Sequence, residues 1–136
     1  MALKITLKPA ERMIIGGAVV TNGNSTSCDL VIENKTPILR QKDILTEEKA
    51  DSPCRRIYYA IQLMYIVEDN LAAYHKVYWD LVIDVVQAAP SIVALIDSIN
   101  EHILHRRYYQ ALKLTKRLID YEQEAIESVS DSVESV

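Results

Sequence analysis

The stretch Thr36-Pro37-Ile38-Leu39-Arg40-Gln41-Lys42-Asp43-Ile44-Leu45 divides the chain. Short strands and turns precede it, and from Glu68 onward the periodicity is helical. Read as a strand, the stretch sets Arg40 and Lys42 two apart, so both leave one face between apolar pairs. A second basic pair, Arg55-Arg56, follows an acidic loop and runs into Tyr58-Tyr59. Single-stranded RNA asks a surface for charge to meet phosphates and for flat rings to meet unstacked bases. The same cations also suit a solvated strand edge, where Lys and Arg discourage edge-to-edge aggregation.

Working toward the N-terminus, Leu3-Lys4-Ile5-Thr6-Leu7-Lys8 alternates strictly, the mark of a strand with one buried face. Pro9 stops it. Arg12 to Ile15 leads to Gly16-Gly17, where a tight reversal or bulge is expected. Ala18 to Thr21 is a third short strand, and Asn22-Gly23-Asn24 is the strongest hairpin signal, with Cys28 to Glu33 as the returning strand. Leu30 and Ile32 share one face of that strand, and Ile38 to Arg40 is a further short strand. This spacing predicts a small antiparallel sheet or barrel.

Working toward the C-terminus, Thr46 to Pro53 reads as a polar linker. Ile57 to Val67 fits two patterns: its odd positions are all apolar, yet Ile57, Ile61, Met64 and Tyr65 also fit a helical stripe. Its β-branched and aromatic content favours a strand. Leu71, Tyr74, Tyr78, Leu81, Val82 and Val85 then form a helical stripe that ends near Ala89-Pro90. Ser91 is placed to cap a second helix with Val93, Ile96, Ile99 and Ile103 inward, and a third carries Tyr108, Ala111, Leu112, Thr115, Leu118 and Ile119 on one face. The last nine residues, from Ser128, are rich in Ser, Glu and Asp and predict a flexible tail.

Composition narrows the class. A chain of 136 residues with 49% apolar and 25% charged residues is one ordinary globular domain, or one with an appendage. Cys28 and Cys54 form no CxxC pair and read as free thiols in a reducing cytoplasm. The strongly apolar run Val85–Ile96 is 12 residues long and contains Pro90, too short to span a bilayer. Residues 1–60 hold nine Lys/Arg against seven Asp/Glu, a net of +2; residues 61–136 hold six against twelve, a net of −6. Any RNA contact must therefore come from a local patch. His102 and His105 lack the spacing of a metal site, the three glycines make no phosphate loop, and no serine sits in a GxSxG elbow. The sequence thus predicts no enzyme, no metal, no cofactor and no small-molecule substrate.

Taken together, the chain resembles the FlbT family of small flagellar regulators. The likeness rests on Leu3 to Pro9, Gly17 to Gly23, Leu30 to Lys35 followed by Ile38 to Leu45, Arg56-Ile57-Tyr58-Tyr59, and Tyr108 to Leu114. It implies a cytoplasmic post-transcriptional regulator acting on the 5′ untranslated leader of flagellin mRNA, as repressor or activator, with a FlaF-type protein partner. Residues 3–45 also resemble the carbon-storage regulator CsrA, an RNA-binding β-protein. That likeness implies a homodimer and puts Arg40 at the main RNA-contact arginine; Lys8-Pro9 departs from its pattern, which has a basic pair there.

The expected protein is α+β: a β-rich RNA-binding module over 1–67, a helical bundle of about three helices over 68–127, and an acidic flexible tail over 128–136. Arg40, Lys42, Arg55 and Arg56 would hold the RNA, with Lys8, Arg12 and Lys35 at the rim and Tyr58 or Tyr59 stacking on a base. Tyr74, Tyr78, Trp79 and Tyr108 would face the partner or a second subunit, or fill the core of a chain that has no Phe. The alternative is an adaptor in flagellar assembly that binds FlaF or flagellin without touching RNA.

Overall fold

A computed structural model describes residues 2–67 and 69–134. The chain forms two compact units. One comprises the chain through Ile44, joined by Ile66 and Val67; the other comprises Leu45–Tyr65 and the chain from Asp69 onward. The division thus falls after Ile44, and the segment 45–65 groups with the helices.

The first unit holds five strands: β1 (Leu3–Leu7), β2 (Arg12–Ile15), β3 (Ala18–Thr21), β4 (Cys28–Ile32) and β5 (Ile38–Arg40). They make two antiparallel sheets, β1-β4 and β3-β2-β5. Alternation decides which side chains go in. Ile5 and Leu7 are buried while Lys4 and Thr6 are exposed, and Leu30 and Ile32 turn inward between exposed Asp29 and Val31. Ile5, Leu7 and Met13 form the core, ringed by Ile15, Val20, Cys28, Leu30, Ile32 and Ile38, so side chains from both sheets share one interior. Removing that apolar surface from water is what holds such short strands together.

The turns follow local chemistry with one reversal of expectation. Gly16-Gly17 closes the β2–β3 hairpin, pairing Ile15 with Ala18. Gly16 has φ +60°, as the first central residue of a type II′ turn requires. Asn22-Gly23-Asn24 closes no hairpin, because β4 pairs with β1, Leu3 opposite Ile32 and Leu7 opposite Cys28. The Asn22 side chain is buried instead. Its Nδ2 donates to the Leu7 and Thr26 carbonyls at 3.0 Å each, and its Oδ1 accepts the Asn24 N–H at 2.9 Å. A residue that reads as turn chemistry serves as a staple across a crossover loop.

The second unit holds four α-helices among the described residues, one more than the sequence predicts: α1 (Pro53–Ile66), α2 (Leu71–Ala88), α3 (Val93–Leu104) and α4 (Tyr108–Glu134). The strand expected over 57–67 is α1. Ser52 accepts the Arg55 N–H at 3.2 Å, and Pro53 sits at the first helical position, where its missing N–H costs nothing. Cys54, Ile57, Tyr58, Ile61 and Met64 are then buried at helical spacing. Ser91 caps no helix; α3 follows a 3-10 turn at Pro90–Ile92, and the Ser91 hydroxyl is 2.8 Å from that of Tyr121. Ile96, Ile99 and Ile103 of α3 are buried, as are Ala111, Leu112, Thr115 and Leu118 of α4. α4 continues through Glu134, so the backbone over 128–134 is helical where a flexible tail is expected; 135–136 lie outside the described residues. No helix among the described residues is long and apolar enough to cross a membrane.

Candidate functional site

The predicted basic residues fall in both units, and each group has its own geometry. In the β unit, β5 ends at Arg40 and Gln41–Asp43 forms a 3-10 turn, so Arg40 and Lys42 do not share a strand face. They gather at one end of the three-stranded sheet nonetheless. β2 and β5 run antiparallel with Met13 opposite Arg40, and the Arg12 N–H donates to Gln41 Oε1 at 2.7 Å. Arg12 and Lys42 therefore lie at the same sheet end. The turn Lys8-Pro9-Ala10-Glu11 adds Lys8, with the Glu11 N–H donating to the Lys8 carbonyl at 3.0 Å.

Glu11 is the hub of this cluster. Its Oε1 accepts the Lys8 N–H at 2.9 Å, and Arg40 Nη2 stands 3.3 Å from that oxygen. The same Nη2 donates to the Thr6 carbonyl at 2.8 Å. The Lys8 N–H, more than the Arg40 guanidinium, holds the Glu11 carboxyl below its ordinary value. Arg40 is thereby engaged within the fold. Lys42 and Arg12 are exposed and, among the described residues, make no ion pair. Lys35 belongs to the opposite end of the sheet, in the loop before Ile38, which pairs with Ile15.

In the helical unit the remaining candidates separate. Arg55 is committed to Asp51 at 3.0 Å and to Gln123 at 3.4 Å. Tyr58 is 3% exposed and belongs to the core, so only Tyr59 is placed to stack on a ligand. Arg56, Tyr59 and Tyr74 line one cleft of about 470 Å³ between α1 and α2, together with Glu47. Tyr78 is fully buried, donates its hydroxyl to Asn100 Oδ1 and meets the Trp79 ring edge-on at 5.5 Å between centroids. It is a core residue and offers no surface to a partner. Trp79, 47% exposed, and Tyr108 line a smaller recess with Leu71, His75 and Leu104.

Two features went unread in the sequence. Gln62 is buried in α1; its Oε1 accepts the Leu45 N–H at 2.8 Å and its Nε2 donates to the Leu45 carbonyl at 2.9 Å. This amide ties the chain ahead of the helix to the helix itself, and no local pattern announces it. The other is an apolar groove of about 510 Å³ at α1, α2 and α4, lined among others by Pro53, Ala88, Ile92, Ile126 and Val129. Its signal was the apolar stripe of α4 running on past Leu118 through Ala125, Ile126 and Val129. At its edge the Cys54 thiol is pushed up to about 12, by burial first and then by the Glu122 carboxylate, and is no nucleophile at neutral pH. Among the described residues no three His, Cys, Asp or Glu side chains converge as metal ligands.

Comparison with known proteins places this architecture. The chain matches the family described as "Flagellar protein FlbT" over residues 3–126. It is 46% identical over 123 residues to the "Probable flagellum biosynthesis repressor protein FlbT 1" of Bradyrhizobium diazoefficiens, covering 90% of this chain and 84% of that one. It is 40% identical to the corresponding protein of Rhodopseudomonas palustris, over 93% of this chain and 98% of that one. It is 36% identical to the "Flagellum biosynthesis repressor protein FlbT" of Caulobacter vibrioides, over 98% and 95% of the two chains. No solved structure matches. With 124 residues of continuous family match and relatives aligned nearly end to end, the chain belongs to the FlbT family.

Proposed function

We propose that this protein regulates flagellar biosynthesis after transcription, by binding the 5′ untranslated leader of flagellin mRNA and controlling its translation or stability. The flagellar part follows from its relatives, which are named flagellum biosynthesis repressors. The RNA part is carried by one observation: Lys8, Arg12 and Lys42 collect at one sheet end, where Arg40 occupies the Glu11 carboxylate. Cations whose local acid is already matched are available to phosphates, and a regulator that covers a leader needs no catalytic group. It need only compete with the ribosome or with nucleases.

The test is titration of the full chain against a labelled flagellin leader and a scrambled control, at low and near-physiological salt. Leader-selective binding that weakens steeply with salt supports the reading. Equal binding to both RNAs, or none, sinks it. The groove lined by Pro53, Ile92, Ile126 and Val129 favours a second reading, an adaptor holding a FlaF-type partner or flagellin without RNA. Apolar contacts of that kind would respond only weakly to salt.

A further inference from the structure

The α1–α2 cleft gathers chemistry that the β unit lacks. Arg56 and Tyr59 are three apart on α1 and so neighbours on its surface, and Tyr74 faces them from α2. Ala60, one residue on, is small and buried, which leaves depth between the helices down to Leu63 and Leu81. Glu47 lines the same cleft, and the Tyr59 hydroxyl is shifted up by burial first, then by the Glu47 carboxylate and by Tyr74. Neither Glu47 nor Arg56 makes an ion pair among the described residues. The cleft thus offers an anion and a cation without ion-pair partners, and two aromatic rings.

These groups select a ligand by its edges. A carboxylate accepts two hydrogen bonds side by side, so it favours a planar group with two adjacent N–H donors. Among RNA bases guanine alone presents such an edge, N1–H beside the N2 amino group. Adenine and cytosine set one amino group next to an acceptor, and uracil sets one N–H between two carbonyls. Flat rings suit an unstacked base, and a guanidinium suits its phosphate.

We propose that the cleft takes one unstacked guanine of a single-stranded RNA, its N1–H and N2–H on Glu47, its face against Tyr59 and Tyr74, and its phosphate on Arg56. This rests on the RNA reading above and names what that RNA must display. The volume of about 470 Å³ lies within the range of small-ligand sites.

The full chain, wild type and the variants Glu47→Gln and Arg56→Ala, is titrated with labelled heptamers of uridine carrying a central G, A or U. Guanosine monophosphate is added as competitor. Both substituted side chains are exposed, and circular dichroism confirms that each variant is folded. The wild type binds the G heptamer about tenfold or more tighter than the others. Glu47→Gln abolishes that preference while leaving the U heptamer unchanged. Arg56→Ala weakens all three with a shallower salt dependence. Equal affinity for G, A and U, or a preference that survives Glu47→Gln, overturns the proposal. Displacement by guanosine monophosphate as effective as by the G heptamer overturns it in favour of a free nucleotide. If the flagellin leader still binds selectively while the cleft variants match wild type, the cleft fails and the RNA reading stands. If no RNA binds, both fall.

Discussion

Arg40 spans from the end of β5 to Glu11, 3.3 Å from its carboxylate, and on to the Thr6 carbonyl at 2.8 Å. One guanidinium thus joins the strand that ends the three-stranded sheet to the turn after β1 and to β1 itself. Replacing it removes a strut as well as a charge. Arg40→Ala is expected to lower the thermal unfolding midpoint and RNA affinity together. Arg12→Ala with Lys42→Ala should leave the midpoint unchanged and reduce affinity. Two lost phosphate contacts would flatten the slope of log affinity against log salt by about 1.4 for a single strand. A folded double mutant with unaltered affinity would remove this sheet end from the RNA-contact surface.

The carboxyls of the β unit set its acid response. Glu11 is held below its ordinary 4.5, chiefly by the Lys8 N–H, and Asp29 below 3.8, by the Thr6 hydroxyl at 2.7 Å and then by Lys4. In the unfolded chain both bind protons more readily than in the fold. Their stabilisation is therefore complete above the ordinary values and is lost as pH falls through the lowered ones. Urea midpoints measured from pH 7 to pH 3 should fall on acidification, and less so for Glu11→Gln combined with Asp29→Asn. Parallel curves for the two proteins would contradict the assignment.

Tyr78 is a core residue whose one polar atom is matched by Asn100. Tyr78→Phe keeps the ring and removes one hydrogen bond to a half-buried amide, at a cost of about 0.5–1.5 kcal/mol. Tyr78→Ala opens a cavity as well and should cost about 3–5 kcal/mol. Chemical denaturation reads both. Trp79→Ala, at an exposed position beside it, should change stability far less, and a larger loss there than at Tyr78 would refute the placement.

Three non-glycine residues have left-handed backbone among the described residues, Ala10, Asn70 and Arg106, and of these Asn tolerates it best. Ala10 has φ +64° in the turn after Pro9, and Arg106 has φ +58° where α3 ends. At the second site the Arg106 N–H donates to the Ile103 carbonyl and the Arg107 N–H to the His102 carbonyl, the paired closure in which glycine is usual. Ala10→Gly and Arg106→Gly are each expected to stabilise by about 0.5–1 kcal/mol, since relief of the left-handed strain exceeds the entropy glycine adds to the unfolded chain. Denaturation midpoints that fall in both would show the strain to be absent.

The strands were legible because their signals are local. Leu3–Leu7 alternates, Gly16-Gly17 marks a reversal, and each strand occupies the stretch its pattern indicates. Pairing beyond the β2–β3 hairpin was not legible: Asn22-Gly23-Asn24 carries the residues of a hairpin turn, but the Asn22 amide is spent on Leu7 and Thr26, and β4 goes to β1. α1 reads as a strand because Ile and Tyr dominate its composition, while its Ser52-Pro53 start signal sits at the end of a polar segment. At the candidate site, residue types were readable but commitments were not. Arg40 meets an acid 29 residues away, and Arg55 meets Gln123 across 68. Glu47 falls in the segment that reads as a polar linker, and only the folded chain puts it in one cleft with Tyr59 and Tyr74.

The β1–β4 pairing also governs when the unit can form. The β2–β3 hairpin closes across two glycines, so it can assemble as soon as Thr21 has left the ribosome. β1 is made first but paired only after the hairpin, because its partner begins at Cys28. At about 5–20 residues per second, Ile5 and Leu7 wait roughly one to several seconds without a partner strand. Closing that long loop draws on chain entropy that the hairpin does not. The earliest residues synthesised thus stay unprotected after the hairpin behind them has closed, and nascent-chain quality control would meet this protein first at its N-terminal strand.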